Sequence, residues 1–243
     1  MENMDNYNQY GFDSDNYARA SSGLTLNQYV AKTFLWMFVG LMVTFGTAYL
    51  GYWSGLLAFV FLTPMVPVLL LVAELAVVLV LSARIHKLHV GTARVLFLLY
   101  AVLNGVVFST YFLMFEMATL IYIFALTAVY FGIFALYGRF TKRNLSGFRP
   151  FIIGGLIFLL VVSVLSLFLP LGGLDRIVCL IGIALFLGIT AYDSQKIGQY
   201  YVAYQGDSAM LQRASIFSAL QLYLDFINLF LYLLRFFARN RSN

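Results

Sequence analysis

Two aspartates lie inside hydrophobic segments of this chain, where an ionised side chain is costly. Asp225 lies at the centre of segment 214–236, with eleven residues on either side, and Asp193 lies in the preceding apolar segment. An ionised group at mid-membrane costs roughly 2.5–3.5 kcal/mol on insertion scales, so such residues usually face protein or water and carry a function. The two aspartates are therefore the first candidates for chemistry.

The polar residues of segment 214–236 share one face of a helix, and we call them the polar stripe. At about 100° per residue they fall within an arc of about 80°. They are Ser218, Gln221, Asp225, Asn228 and Tyr232. Apolar residues occupy the rest of the helix surface. This pattern predicts the inner helix of a bundle, with the polar stripe lining a cavity.

Asp193 and Asp225 are expected at similar depth on an antiparallel helix pair. In the intervening YQGDSAM, Gly206 can end one helix, and Asp207 or Ser208 can cap the next. Residue 209, the midpoint of the two aspartates, falls in that turn. Two facing carboxyls cannot both ionise cheaply, so they should share a proton and titrate as one unit. The pair is a candidate pH sensor, and the alternative is that each aspartate only packs against neighbouring polar groups.

A nearby cation would compete with the shared proton. Arg84, at the cytosolic end of the second apolar segment, is the best placed side chain by depth, and a divalent ion is the alternative. Glu74 is a further intramembrane acid on the same segment, and nothing in the sequence fixes its partner. We expect Glu74 to support an ion pathway or only to pack.

Calcium is the divalent ion considered for the aspartate pair. It usually takes six to eight oxygen ligands. Asp193 and Asp225, supported by the polar stripe residues Gln221, Asn228 and Ser218, offer fewer. This set favours weak, water-assisted binding of a permeant ion over storage, and the sequence indicates no cofactor.

The composition identifies the class of protein. Apolar residues make up 62% of the 243, charged residues 10%, and mean hydropathy is +0.88. These values are typical of an all-α polytopic membrane protein rather than a soluble domain. The net charge of +5 comes from basic residues clustered in loops, which indicates orientation in the membrane and argues against nucleic-acid binding.

Seven apolar segments are predicted to cross the bilayer. Residues 1–28 are expected to form a disordered cytosolic tail, residues 29–237 the membrane domain, and residues 238–243 a short tail. The positive-inside rule places the N-terminus in the cytosol but conflicts with Arg235, Arg239 and Arg241 if the last segment crosses fully. A full crossing is favoured by its length, and a re-entrant segment is the alternative. The segments are 29–53, 66–83, 93–115, 118–137, 151–169, 176–201 and 214–236.

Each aspartate lies in a distinctive motif, TAYDSQKI at 190–197 and LYLDFINLF at 222–230, the second followed by LLRFF. The two motifs resemble those of the Bax inhibitor-1, or transmembrane Bax inhibitor motif, family, and within it the bacterial branch. Supporting similarity lies in TKRNLSGF at 141–148 and in GTARVLFLLYAVLNGVVFS at 91–109. The resemblance covers roughly residues 28–237.

The resemblance implies a bundle of six helices around a central seventh. It also implies that the aspartate pair is a pH-sensitive latch on a calcium leak pathway, with Arg84 as the matching latch partner. Some family members are linked to suppression of cell death or to control of a membrane protease. The expected surroundings are therefore a bacterial plasma membrane, calcium ions and protons.

Three function hypotheses follow. The first is a proton-gated calcium leak. The second is a non-conducting regulator that modulates a membrane-protein partner, such as a protease or a stress or cell-death pathway. The third is an intramembrane aspartyl protease, in which one carboxyl activates water. That class needs a glycine-bracketed second aspartate and a Pro-Ala-Leu element, and the chain has neither near Asp225, so we expect no enzymatic activity.

Overall fold

A computed structural model describes residues 24–55, 63, 65–85, 87–166, 168 and 174–238. Within these residues the chain is helical and contains no strand. Seven long helices match the seven predicted spans. A short helix at Tyr111–Met114 extends the third span, and another at Leu145–Phe148 precedes the fifth long helix. The long helices are α1 (Leu26–Trp53), α2 (Val66–Arg84), α3 (Val90–Phe108), α4 (Met117–Phe140), α5 (Arg149–Leu165), α6 (Asp175–Ala203) and α7 (Ser208–Ala238).

All seven helices are long and apolar enough to cross a membrane, so the prediction of an all-α, seven-span protein is confirmed. The most apolar window of α7 is 67% buried, compared with 6% for the span 145–165. This burial fits an inner helix. The central position of α7 and its full crossing stay predictions.

The chain divides into two compact units. The first unit comprises Met1–Phe108 and Ile197–Leu220, and the second comprises Ser109–Lys196 and Gln221–Asn243. Helices α6 and α7 each contribute residues to both.

The first unit is built on close packing of α3 against α1 and α2. Small residues allow this approach: a Cβ at Gly40 would overlap the ring of Phe97, and one at Gly105 would lie 2.7 Å from the carbonyl oxygen of Thr44. The Thr44 hydroxyl donates to the carbonyl of Ala101 over 2.9 Å. Hydrogen bonds to backbone carbonyls thus satisfy buried hydroxyls where water is absent.

The second unit brings α4 and α6 into contact at Gly138, where a Cβ would overlap the backbone of Ala191. The same face of α4 also carries Phe124 and Phe131, whose rings lie 5.1 and 5.5 Å from that of Phe226 on α7. These contacts fix the parts of α6 and α7 that carry the aspartates.

Local signals in the sequence place the helix ends. Thr25 caps α1 in a reciprocal capping box with Gln28. Gly206 has a positive φ of 96° and ends the turn after α6. Asp207 then accepts a hydrogen bond from the Met210 amide over 2.8 Å, which confirms the predicted cap of α7.

Some sequence expectations lie wholly or mostly outside the described residues. These are the N-terminal tail and the C-terminal tail. Helix α1 begins at Leu26, so the end of the predicted tail is helical. Gly55, which the sequence pairs with Gly51 in a GxxxG pattern, lies beyond the end of α1 with a φ of 73° and therefore belongs to a turn.

Candidate functional site

Asp193 on α6 and Asp225 on α7 both belong to the second unit, and both are buried, with 7% and 4% of their surfaces exposed. The segment of α6 before Asp193 packs closely on α7, because a Cβ at Gly182 would lie 2.6 Å from the ring of Tyr232. The turn at residues 204–207 comes slightly before the midpoint of the two aspartates, so their depths match only approximately.

Asp193 has a cation beside it. Its Oδ1 lies 3.8 Å from Nζ of Lys196, three residues later on the same helix. Nζ of Lys196 also lies 4.4 Å from the ring centre of Tyr192, within the range of a cation–π interaction. Asp193 is therefore in an ion pair that its own helix supplies.

Asp225 has a different environment. Its Oδ2 is buried and accepts no hydrogen bond from the described residues. Both Asp193 and Lys196 are close enough to act on the charge of Asp225. A buried carboxylate oxygen without a donor is unfavourable unless a proton, a cation or water supplies the missing interaction. A proton or a cation shared by Asp193 and Asp225 stays a prediction.

A cavity of about 670 Å³ begins one helical turn from Asp225. Asn228 lines the cavity and is the third residue after Asp225, about 4.5 Å further along the axis of α7. Arg235 also lines the cavity, and its Nη2 lies 3.5 Å from Oδ1 of Asp175. The lining residues are Tyr111, Met114, Phe115, Asn228, Leu231, Tyr232, Leu234 and Arg235.

The polar stripe is only partly brought together in the second unit. Asn228 and Tyr232 line the cavity, and Asn228 Nδ2 donates to the carbonyl of Leu224 over 2.8 Å. Gln221 is half-buried. Ser218 belongs to the first unit, where its buried Oγ has no hydrogen-bond partner among the described residues.

Glu74 and Arg84 both lie on α2 in the first unit. Oε1 of Glu74 is buried and has no hydrogen-bond partner in the described part of the chain. Glu74 acts electrostatically on Tyr100 of α3. Arg84 is exposed in the last turn of α2. The role of Arg84 as latch partner stays a prediction.

Two residues beside the aspartates were not singled out from the sequence. Lys196 could have been found, because residues three apart on a helix are neighbours. Gln195 could not, because its contacts are distant in sequence: its Oε1 accepts from the Leu145 amide over 2.9 Å, and its Nε2 donates to the Arg143 carbonyl over 2.8 Å. Gln195 thus fixes the loop after α4 to α6, next to Asp193.

Calcium would find few protein ligands here. Within the described residues, no group of three or more His, Cys, Asp or Glu side chains is placed to hold a metal ion. Asp193 and Asp225 with the nearby amide of Asn228 can offer a passing ion part of its coordination, and water would have to supply the rest.

Comparisons with known proteins agree with this architecture. The family profile described as "Inhibitor of apoptosis-promoting Bax1" matches residues 26–242. The chain belongs to the Bax inhibitor-1 family. It is 39% identical to the inner membrane protein YbhL of Escherichia coli K12 over 230 residues, which cover 94% of this chain and 97% of that protein.

Further relatives are also bacterial. A protein of Borreliella burgdorferi is 33% identical over 221 residues, covering 90% of this chain and 95% of the relative. A protein of Deinococcus radiodurans is 38% identical over 214 residues, covering 86% and 91%. The chain is a multi-pass membrane protein of the bacterial branch of this family, as its two aspartate motifs predicted.

Proposed function

We propose that this protein is a pH-sensitive, calcium-permeable leak of the bacterial plasma membrane, gated by Asp193 and Asp225, with its N-terminus in the cytosol. The observation that carries the proposal is the unpartnered, buried Oδ2 of Asp225 within electrostatic reach of Asp193. Such a site responds to protons and attracts cations. The family resemblance supports the same function.

The cavity beside Asp225 supports passage of an ion. Asn228 brings a polar group of its lining to within about one helical turn of the Asp225 carboxyl, and Tyr232 lies about one turn further along α7. Arg235 would repel calcium there, but its pairing with Asp175 offsets much of that charge. A partly hydrated cation could therefore approach the aspartate pair from the cavity.

The direction of the pH response follows from the latch. In this proposal the ionised aspartate pair attracts a cationic partner, Arg84 in the form that the family resemblance implies, and this attraction closes the pathway. Protonation removes the charge and weakens the attraction. The calcium leak should therefore be larger at pH 6 than at pH 8.

Calcium flux into liposomes containing the purified protein tests the proposal. Wild type should leak calcium with this pH dependence, and the double variant Asp193→Asn, Asp225→Asn should leak at a rate that no longer changes with pH, because asparagine is neutral throughout. Glu116→Gln is the matched control: Glu116 is an exposed carboxylate outside the helices that makes no side-chain cap bond, so this variant should behave as wild type.

Two outcomes would contradict the channel. One is a folded wild-type protein that passes no more calcium than protein-free liposomes at any pH. The other is a double variant that keeps the wild-type pH response. The first outcome would favour the non-conducting regulator, which should then be isolated from membranes together with a specific membrane-protein partner.

A further inference from the structure

An apolar groove of about 340 Å³ runs along α6 in the second unit, and we call it the Tyr192 groove. Its floor is a buried cluster of Leu145, Ala191 and Tyr192, against which Phe134 and Ile152 pack. The remaining lining residues are largely exposed and apolar. The full lining is Phe134, Tyr137, Leu145, Phe148, Phe151, Ile152, Ala184, Leu185, Gly188, Ala191 and Tyr192.

The dimensions of the groove suit a hydrocarbon chain. From Tyr192 to Ala184 it follows α6 for about 12 Å at 1.5 Å per residue, most of the roughly 15 Å of one leaflet's hydrocarbon. Gly188 lies midway, and a Cβ there would meet nothing within 4 Å. The absence of a side chain at Gly188 therefore helps to keep the groove open.

Basic side chains stand at the end of the groove formed by Leu145 and Phe148. Lys142, Arg143 and Arg149 are all exposed. Within the described residues no ion pair joins any of these three side chains to an aspartate or a glutamate. These cations suit the anionic headgroup of a lipid, and the apolar groove beside them suits its acyl chain.

The loop that carries these cations has a fixed position on α6. Gln195 bonds both sides of it, through the Leu145 amide at 2.9 Å and the Arg143 carbonyl at 2.8 Å. The Asn144 side chain accepts from the Ser146 amide over 2.9 Å and further orders the turn. The cations are thus presented at a defined place beside the groove, which a basic loop serving only to orient the protein would not require.

We propose that the Tyr192 groove and this loop bind an anionic phospholipid. One acyl chain lies in the groove against Tyr192 and Gly188, and the phosphodiester headgroup contacts Lys142, Arg143 and Arg149. Each basic residue near an anionic headgroup strengthens binding by about fivefold. This inference concerns lipid binding alone and does not depend on calcium conduction.

Native mass spectrometry of the detergent-purified protein tests this binding. Phosphatidylglycerol and phosphatidylcholine with identical acyl chains are added, and the bound fraction of each is measured. Wild type should retain phosphatidylglycerol preferentially. In the triple variant Lys142→Gln, Arg143→Gln, Arg149→Gln, the preference for phosphatidylglycerol should fall about fivefold for each charge removed. The control Lys87→Gln removes an exposed charge in the first unit and should keep the preference.

The groove is tested separately by filling it. Gly188→Leu places a side chain into open space and should reduce retention of both lipids, leaving the thermal unfolding temperature close to that of wild type. Gly154→Leu is the matched control, because Gly154 is also an exposed helical glycine with nothing within 4 Å, but it does not line the groove.

Equal retention of the two lipids by wild type would overturn the proposal. Loss of binding in the triple variant with unchanged binding in Gly188→Leu would also overturn it, because it would show attraction to a basic loop without an acyl-chain site. If Gly188→Leu unfolds, Ala184→Leu, at another exposed lining position of the groove, makes the same test.

Discussion

Two regions of this protein hold acids inside membrane spans, and they differ in what surrounds the carboxyl. Glu74 lies on α2, whose described helical residues include only Leu81 as a buried side chain, and it acts on the phenol of Tyr100. Asp225 lies on the most buried of the seven spans, and it is close to a second acid, Asp193, and to Lys196. Both acids have a buried oxygen without a hydrogen-bond partner.

The difference teaches that an intramembrane acid is not by itself a proton sensor. A single carboxyl beside a neutral phenol titrates alone. Two carboxyls that repel each other lose their protons in two separate macroscopic steps, so between those steps the site can hold one shared proton. In the proposal the gating element is therefore the aspartate pair and not Glu74.

The largest effect should come from Asp225→Asn. We expect it to abolish the pH response of calcium flux between pH 6 and pH 8, because it leaves Asp193 without the acid that shares its proton. Flux into liposomes at several pH values measures this. If Asp225→Asn keeps the wild-type pH response, the aspartate pair does not gate calcium flux, and the proposed difference between the pair and Glu74 has no basis.

Gly138→Ala should have the next largest effect. Its Cβ would overlap the backbone of Ala191, two residues before Asp193, so we expect a loss of about 1–3 kcal/mol of stability together with an altered pH response. Thermal unfolding and flux would be measured on the same preparation. Gly132→Ala, on the same helix with nothing within 4 Å, should be neutral or stabilising by up to about 1 kcal/mol.

Gly105→Ala sharpens this result, because it makes a similar clash in the region of Glu74, with Thr44 and Thr47 of α1. We expect it to destabilise the protein and leave the pH response unchanged. If Gly105→Ala shifts the pH response as much as Gly138→Ala does, the response reflects general stability and not the geometry around Asp193.

Asn228→Leu should have a smaller effect. Asn228 offers a polar group to the cavity next to Asp225, and its loss removes about 1 kcal/mol of stabilisation of a passing cation, equivalent to about fivefold in flux. The pH at which flux changes should stay the same. Gln199→Leu, an exposed helical position outside the second unit, is the control, and equal losses in both variants would argue against passage through the cavity.

Glu74→Gln should have the smallest effect, less than about twofold in flux, with an unchanged pH response. The amide keeps the shape and polarity of the side chain beside Tyr100. A lost or displaced pH response in this variant would make Glu74 part of the gate and would remove the distinction between the two regions.

The sequence predicted most of the fold because membrane spans are set by length and hydropathy. It also predicted local ends, such as the Gly206 turn and the Asp207 cap, since these depend on neighbouring residues. The contact of Gln195 with the loop at Arg143 and Leu145 could not be predicted, because it joins residues that are far apart in the chain.

The candidate site was predicted in part. The motifs and the turn between α6 and α7 indicated that Asp193 and Asp225 belong together, and both fall in the second unit. The i, i+3 spacing of Asp193 and Lys196 could have indicated their ion pair. The cavity at Asn228 could not be predicted, because it depends on how residues 111–115 pack against α7, and helical periodicity fixes a face of a helix but not its partner.

Infrared spectroscopy of the protein in lipid bilayers tests the central claim most directly, because the C=O stretch of a protonated carboxyl reports its titration. We predict that the band of Asp225, identified by its loss in Asp225→Asn, changes its pH dependence in Asp193→Asn and keeps it in Glu74→Gln. An Asp225 band that titrates identically with and without the Asp193 carboxyl would contradict the account, since the two aspartates would then not share a proton.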